Sequence, residues 1–451
     1  MDDSNRALLT DLYQLTMLQA YFEEGMEREA VFDLFVRNLP ATRNYLVACG
    51  IEDTLEFLET LHFDADAIAY LAATGKFSPR FLERLKSLHF TGEVWAVPEG
   101  TVLFANEPIL EVIAPLPEAQ LIETYVMNQI HLQTLLASKA ARVVSAAEGR
   151  KVADFALRRT HGTDAGLKAA RAFYVAGVSA TSNVLAGKLY GIPVVGTMAH
   201  SYVQAHDDER AAFRAFAALY PDSILLIDTY DTLEGVKRVI ELSRELGDRF
   251  RVSGLRLDSG DLATLAKAAR RMLDEAGLDQ VELFASGGLD EWAIAELVAG
   301  GAPIGGFGVG TRMGVSEDAP SLDMSYKLVD YAGSGRIKLS PGKPILPGRK
   351  QVFRRSESQE AREDVITVHA DREAGRPLLA QVMKAGRRLA AASAGLAEAR
   401  ARARQEIREL PAAYTSLARA NRPFPVRVSR ALLAEQQQVM RSIRERSTPR
   451  S

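Results

Sequence analysis

Six short apolar runs follow one another between Lys151 and Val309: KVADFAL, IPVVG, SILLID, VSGLRL, VELFA and PIGGFGV. Between them lie helical patterns such as AGLKAARAFYVAG, TLEGVKRVIELSREL, DLATLAKAARRMLDEAG and DEWAIAELVAGG. Strands alternating with helices of about 10–15 residues predict βαβ units and a parallel sheet. Every run exits into polar or glycine residues: RRTHG, TMAHS, DTYDT, DSGD, SGG and GTR. In a (β/α) barrel the loops after the strands converge on one face, and that face holds the active site. A doubly wound sheet gathers such residues mainly at one switch point. Six consecutive polar exits therefore point to a barrel, and six units instead of eight to an irregular or incomplete one.

The flanks differ in texture. TDLYQLTMLQAYFEEG predicts a capped amphipathic helix ending at Gly25, AVFDLFVRN a strand, and Gly50 to Leu61 a helix. EVWAVPEGTVLFANEPILEVIAP predicts short strands joined by Pro/Gly turns, followed by one helical stretch from about Glu118 to Glu148. Beyond Leu328, GSGRIKLSPGKPILPGRKQVFRR is turn-rich with strand fragments, and LAAASAGLAEARARARQEIREL is an Ala/Arg/Glu helix with a solvated face. The expected division is a mixed α/β N-terminal domain over 1–120, the α/β barrel with the active site over 121–335, and a C-terminal segment over 336–451 ending in a helical tail.

Composition excludes several classes. A net charge of −3 over 451 residues gives no global field to recruit nucleic acid. Cys49 is alone, which excludes an internal disulfide and a cysteine-based zinc site. The acidic start MDDSNRALLTDLYQLTML lacks a cationic segment followed by an apolar core, so no signal peptide is expected. No stretch approaches the ~18 uninterrupted apolar residues of a membrane span. A cytoplasmic protein is the expectation.

The strand exits carry the chemistry. Glycine-rich loops follow the last two runs, and backbone N–H groups free of Cβ obstruction make an anion site. With Thr311 and Arg312 beside them, Gly287, Gly288, Gly308 and Gly310 are the candidate phosphate cradle. In LRLDSGDL, alternation puts Arg256 and Asp258 on one side and Leu255 and Leu257 on the other. Arg offers planar donors to phosphate oxygens, and Asp accepts from ribose hydroxyls or holds hydrated Mg²⁺; a structural Arg256–Asp258 ion pair is the alternative. Asp261 is expected to cap the next helix. Phe155, Arg158 and Arg159 offer a ring and guanidinium groups to a flat anionic heterocycle, or else pack as core and surface. GTMAHS sets His200 just past a strand. A metal role fails for want of ligand partners, leaving a structural histidine or a neutral imidazole nucleophile.

These motifs, TDLYQLTM, FDLFVRNLP, TSNVLAG, GTMAHS, LRLDSGDL, SGGLDE and GFGVGTRMGVSEDAPSLDMSYKLV, occur in an order that resembles the nicotinate phosphoribosyltransferases over essentially the whole chain. The resemblance implies an irregular α/β barrel beside an N-terminal domain that the C-terminal segment rejoins, and a homodimer with shared active sites. It implies that nicotinate reacts with phosphoribosyl pyrophosphate (PRPP) to give nicotinate mononucleotide and diphosphate, with Mg²⁺ as cofactor and ATP hydrolysed as co-substrate. By resemblance His200 is the histidine that ATP phosphorylates, and Tyr13 covers the pyridine ring, from the partner subunit. Thr197 and Arg256 match nicotinate- or PRPP-contacting positions, and Thr311 lies in the ribose 5-phosphate loop. Related nicotinamide enzymes share Phe155 and Arg158 as ring and carboxylate or amide contacts, but carry Asp at the position of Asn183. An Asp there would repel a carboxylate, so Asn183 points to nicotinate. Where many members read RRAQG this chain has RRTHG, which leaves His161 unassigned. The alternatives are a nicotinamide or quinolinate phosphoribosyltransferase, or a catalytically silent scaffold.

Overall fold

The computed structural model describes residues 3–339, 345–390 and 395–447. Parts of two sequence expectations, the turn-rich stretch at 340–344 and the start of the Ala-rich helix at 391–394, lie outside the described residues. The chain divides into two compact units, Met1–Ser138 with Ser321–Ser451, and Lys139–Pro320. The divide thus falls at 139 and 321, not at 121 and 336. One reason is visible in the pairing: Met324–Tyr331 lies antiparallel to Glu29–Val36, so it belongs to the first unit's sheet.

That unit holds a seven-stranded sheet with Glu29–Val36 near its middle, paired on its other side with Pro108–Pro115. Almost every residue of both strands is buried. The first helix runs Leu12–Glu24 and stops at Gly25, whose φ of 67° lies in the left-handed region that glycine enters without strain. The expected helix over 118–148 is two, Leu116–Leu121 and Glu123–Ala146. A four-stranded sheet in the same unit contains Lys350–Glu357 against Glu360–Val368.

The second unit is built on six parallel strands, β1 (Lys151–Asp154), β2 (Ala180–Thr181), β3 (Ile224–Leu226), β4 (Gly254–Leu257), β5 (Glu282–Ala285) and β6 (Gly306–Val309). Their order across the sheet is β2-β1-β6-β5-β4-β3. This is the cyclic order 1 to 6 cut once between β2 and β3, giving a curled half-barrel sheet. Seven helices connect the strands: α1 (Thr163–Val175), α2 (Val184–Tyr190), α3 (His200–Gln204), α4 (Glu209–Leu219), α5 (Thr232–Leu246), α6 (Leu262–Glu275) and α7 (Glu291–Ala299). Their periodicity is the reason they lie where they do. In α6, Ala266, Ala269 and Leu273 recur at helical spacing and are buried, Leu273 alone being worth about 1.5–3 kcal/mol. Side chains of Asn183, Asp208, Asp231, Asp261 and Asp290 accept from backbone N–H groups at the starts of α2, α4, α5, α6 and α7.

One expected strand is corrected. IPVVG forms no strand; Val194 makes a single parallel bridge to Thr181, and Val194 and Val195 stay exposed. Pro193 has no N–H to give a ladder, so its carbonyl only accepts from Thr181 while Val195 N–H returns to the Thr181 carbonyl. The sixth strand is Ala180–Thr181, too short for any period to reveal. No helix among the described residues is long and apolar enough to cross a membrane.

Candidate active site

The concave side of the curled sheet encloses a cavity of about 670 Å³. Four predicted residues line it: Phe155, Thr197, Arg256 and Gly308. Leu255 and Leu257 are buried on the other side of β4, as alternation required, which turns Arg256 inward. Its Nη1 donates to Thr197 Oγ1 at 2.5 Å, and its guanidinium carbon lies 6.0 Å from the centre of the Phe155 ring. Gly308 exists to make room for that ring: a Cβ there would stand 2.4 Å from Phe155 Cε2. Arg256 Nε is buried with no hydrogen-bond partner. Burial, the leading cause, holds the guanidinium pKa below its ordinary value; Arg158 adds to the effect, while Asp258 and Asp228 oppose it. A buried donor without a partner costs about 1–3 kcal/mol, so this arginine is left waiting for an acceptor.

Beside the cavity, the strand exits form a polar cluster that fixes Asp258. Asp228, just after β3, accepts through Oδ2 from Asp258 N–H and from Ser259 Oγ, both at 2.8 Å. Ser286, just after β5, donates from Oγ to Asp258 Oδ1 at 2.5 Å. Gly287, with φ of 86°, is forced by the same approach, since a Cβ would sit 1.8 Å from the Asp258 carbonyl oxygen. Gly288, also at positive φ, faces open space. Asp228 Oδ1 is buried and unpartnered. His200 opens α3, and its Nδ1 lies 3.1 Å from Thr229 Oγ1, one residue beyond Asp228.

The remaining predicted residues are placed as follows. Arg158 is exposed on the short turn after β1. That turn is set by buried Asp154, whose carboxylate accepts from Ala156 N–H at 2.8 Å and Thr181 Oγ1 at 2.7 Å. Burial raises the Asp154 pKa against those two donors. Asn183 is buried and fully employed, with Oδ1 accepting from Ala186 N–H and Nδ2 donating to the Gly166 carbonyl. Gly310 and Thr311 begin the short helix Thr311–Gly314, and Arg312 is committed to Asp290 at 2.5 Å and Glu317 at 3.2 Å. Asp261 caps α6 through Thr264 N–H. Tyr13 lies in the first unit, half exposed, its hydroxyl pKa raised by burial first and then by Glu123 and Asp11. His161 is exposed, and His206 Nδ1 bonds the Tyr202 carbonyl oxygen.

Asp228, Thr229 and Ser286 were not singled out from the sequence. The exits DTYDT and SGG marked their neighbourhood, yet their partners lie 28 to 31 residues away along the chain.

For Mg²⁺, no group of three or more His, Cys, Asp or Glu side chains among the described residues converges to hold a metal ion. Asp258, fixed through one oxygen, and the unpartnered oxygen of Asp228 fit the usual Mg²⁺ pattern of one or two carboxylates completed by water and substrate phosphates.

Fold and site together define a class: an α/β enzyme whose curled parallel sheet carries a pocket lined along the length of its strands, with an arginine and an aromatic ring inside it and a fixed carboxylate beside it at the strand exits. Residues 8–131 match the model of the nicotinate phosphoribosyltransferase N-terminal domain, and residues 150–344 that of the nicotinate phosphoribosyltransferase family. The chain belongs to the nicotinate phosphoribosyltransferase family. It is 56% identical over 429 residues to the nicotinate phosphoribosyltransferase pncB2 of Mycobacterium tuberculosis, covering 95% of this chain and 93% of that one. It is 45% identical over 360 residues to the Bacillus subtilis nicotinate phosphoribosyltransferase, covering 78% and 74%. The crystal structure of human nicotinic acid phosphoribosyltransferase superposes with a TM-score of 0.85 at 29% identity, covering 96% of this chain and all of that one.

Proposed function

We propose that this enzyme of NAD biosynthesis transfers the phosphoribosyl group of PRPP to nicotinate, giving nicotinate mononucleotide and diphosphate, while ATP and water become ADP and phosphate. The observation that carries the reading is Arg256, desolvated, lacking an Nε partner and set beside Phe155 in the cavity. A pyridine ring bearing a carboxylate matches that pair: the ring stacks on Phe155 and the anion satisfies the guanidinium. Arg158, near enough to act on Arg256 electrostatically, adds to the positive field.

In the transfer the pyridine nitrogen attacks the anomeric carbon as the bond to diphosphate breaks, and positive charge grows on the ribose. Asp258, held by Ser286 and by Asp228 through its backbone, supplies fixed negative charge for that moment without reorganising. Mg²⁺, when bound, neutralises the departing diphosphate. Gly287, Gly288, Gly308, Gly310 and Thr311 form the phosphate loops. ATP acts through phosphorylation of His200.

Asn183 favours nicotinate in a second way as well as by charge: an Asp there loses its donor to the Gly166 carbonyl and sets two oxygens against each other. A homodimer with a partner's Tyr13 over the ring is supported by an exposed apolar face made of Val184, Leu185, Leu189, Val194 and Val195. The cyclic strand order supports closure of the half-barrel into a six-stranded barrel. A reducing cytoplasm suits the lone, buried Cys49.

The test is mass detection of mononucleotide product from nicotinate, nicotinamide or quinolinate with PRPP, with and without ATP. Nicotinate turnover stimulated by ATP is expected. Product from quinolinate or nicotinamide alone would overturn the assignment, and no product from any of the three would favour the scaffold.

A further inference from the structure

The imidazole of His200 and the carboxylate of Asp258 come from different strand exits, yet one polar chain joins them. His200 Nδ1 meets Thr229 Oγ1; Thr229 is bonded through the backbone to Asp228; Asp228 Oδ2 holds Asp258 N–H and Ser259 Oγ; Ser286 closes the chain on Asp258 Oδ1. We propose that Thr229 is a positioning residue that couples the state of His200 to the placement of Asp258, so that phosphorylation of the imidazole is felt at the ribose-facing carboxylate. The proposal rests on the reading that ATP acts through His200. In that step the γ-phosphoryl group bonds to an imidazole nitrogen as its bond to ADP breaks, and water later carries it off as phosphate.

Three properties make Thr229 suited to the task. Its hydroxyl faces the imidazole, so it meets the charge of about −1.5 to −2 that a phosphoryl group adds to that ring. Its side chain is β-branched and stiff at χ1, so a displaced hydroxyl moves the backbone instead of swinging away. Its neighbour Asp228 spends one oxygen on residues 258 and 259, the other being buried without a partner, so the hydrogen bonds recorded for that carboxylate all run toward Asp258. Two hydrogen bonds then carry the shift to residues 258 and 259. A valine would keep the shape and remove the contact.

The experiment measures kcat/KM for PRPP with and without ATP in the full-length wild type, Thr229→Val, Thr229→Ser and His200→Ala. The expected result is that Thr229→Val lowers the ratio of ATP-driven to ATP-free kcat/KM by about tenfold, a typical coupling between sites. Thr229→Ser, which keeps the hydroxyl and loses the β-branch, falls between Thr229→Val and the wild type, and His200→Ala brings the ratio to one. A purely structural defect lowers both rates together and leaves the ratio intact; that outcome overturns the proposal. So does a Thr229→Val enzyme with a full ATP response beside a His200→Ala enzyme with none. A full ATP response in His200→Ala, or no response in the wild type, overturns instead the phosphohistidine reading beneath it, and the coupling with it.

Discussion

Arg354 and Arg256 are both withdrawn from water, and the chain treats them in opposite ways. Arg354, in the first unit, has a partner at every nitrogen: Nε and Nη2 grip both oxygens of Asp364 at 3.0 and 2.6 Å, Nη1 reaches Glu406 at 2.8 Å, and Nη2 also reaches the Val102 carbonyl. Burial opposes its charge, but Asp364, Glu107 and Glu406 outweigh burial and raise its pKa. Arg256, in the second unit, has one hydroxyl as its hydrogen-bond acceptor, an idle Nε, and a lowered pKa. A closed set of partners is what a structural charge needs; an open one is what a ligand finds. Burial alone does not separate the two, whereas counting satisfied donors does.

Removing each arginine tests the contrast. Arg354→Met strands Asp364 in the interior and leaves Glu406 with Arg376 as its remaining arginine partner, and chemical denaturation is expected to show a loss of about 3–5 kcal/mol with the surviving enzyme near normal in turnover. Arg256→Met is expected to leave Tm unchanged or slightly higher, because an unpartnered donor disappears, while kcat/KM for nicotinate falls by about 10²- to 10³-fold. If Arg256→Met melts like Arg354→Met and keeps its kinetics, the distinction is wrong.

Glu111 sharpens the structural side. Its carboxyl, buried among Asp33 and Lys350, is pushed up from 4.5 to about 8, by burial first and then by Asp33. A carboxyl with a folded pKa above its unfolded one binds more protons when folded, so its contribution to stability falls as pH rises from 4.5 to about 8. Glu111→Gln should therefore gain in Tm relative to wild type as pH goes from 5 to 8; a pH-independent difference would refute the sign. The smallest expected effect is Asp261→Ala, which removes an exposed helix cap and lowers Tm slightly, with kcat unaffected. It calibrates what an ordinary polar contact in the catalytic unit is worth.

Much of the second unit was legible because period and punctuation are local signals. Five of the six apolar runs became strands, and Arg256 was aimed by simple alternation. IPVVG misled because composition alone does not register the missing N–H of Pro193, and Ala180–Thr181 has two residues, less than any repeat can announce. Asn183 was read as a specificity residue, and the fold adds a cap and a tie to Gly166 that no neighbour in sequence disclosed.

The amino-acid order by itself determined the alternation of strands and helices, the polar strand exits and the side of β4 from which Arg256 projects, because each depends on residues within a few positions of one another. Only the tertiary structure decided which arginine is satisfied, which glycine is compelled and that Ser286, Asp228 and Thr229 brace Asp258 and His200. Those facts depend on distances between residues some thirty positions apart, and a chain acquires such distances only when its strands lie side by side.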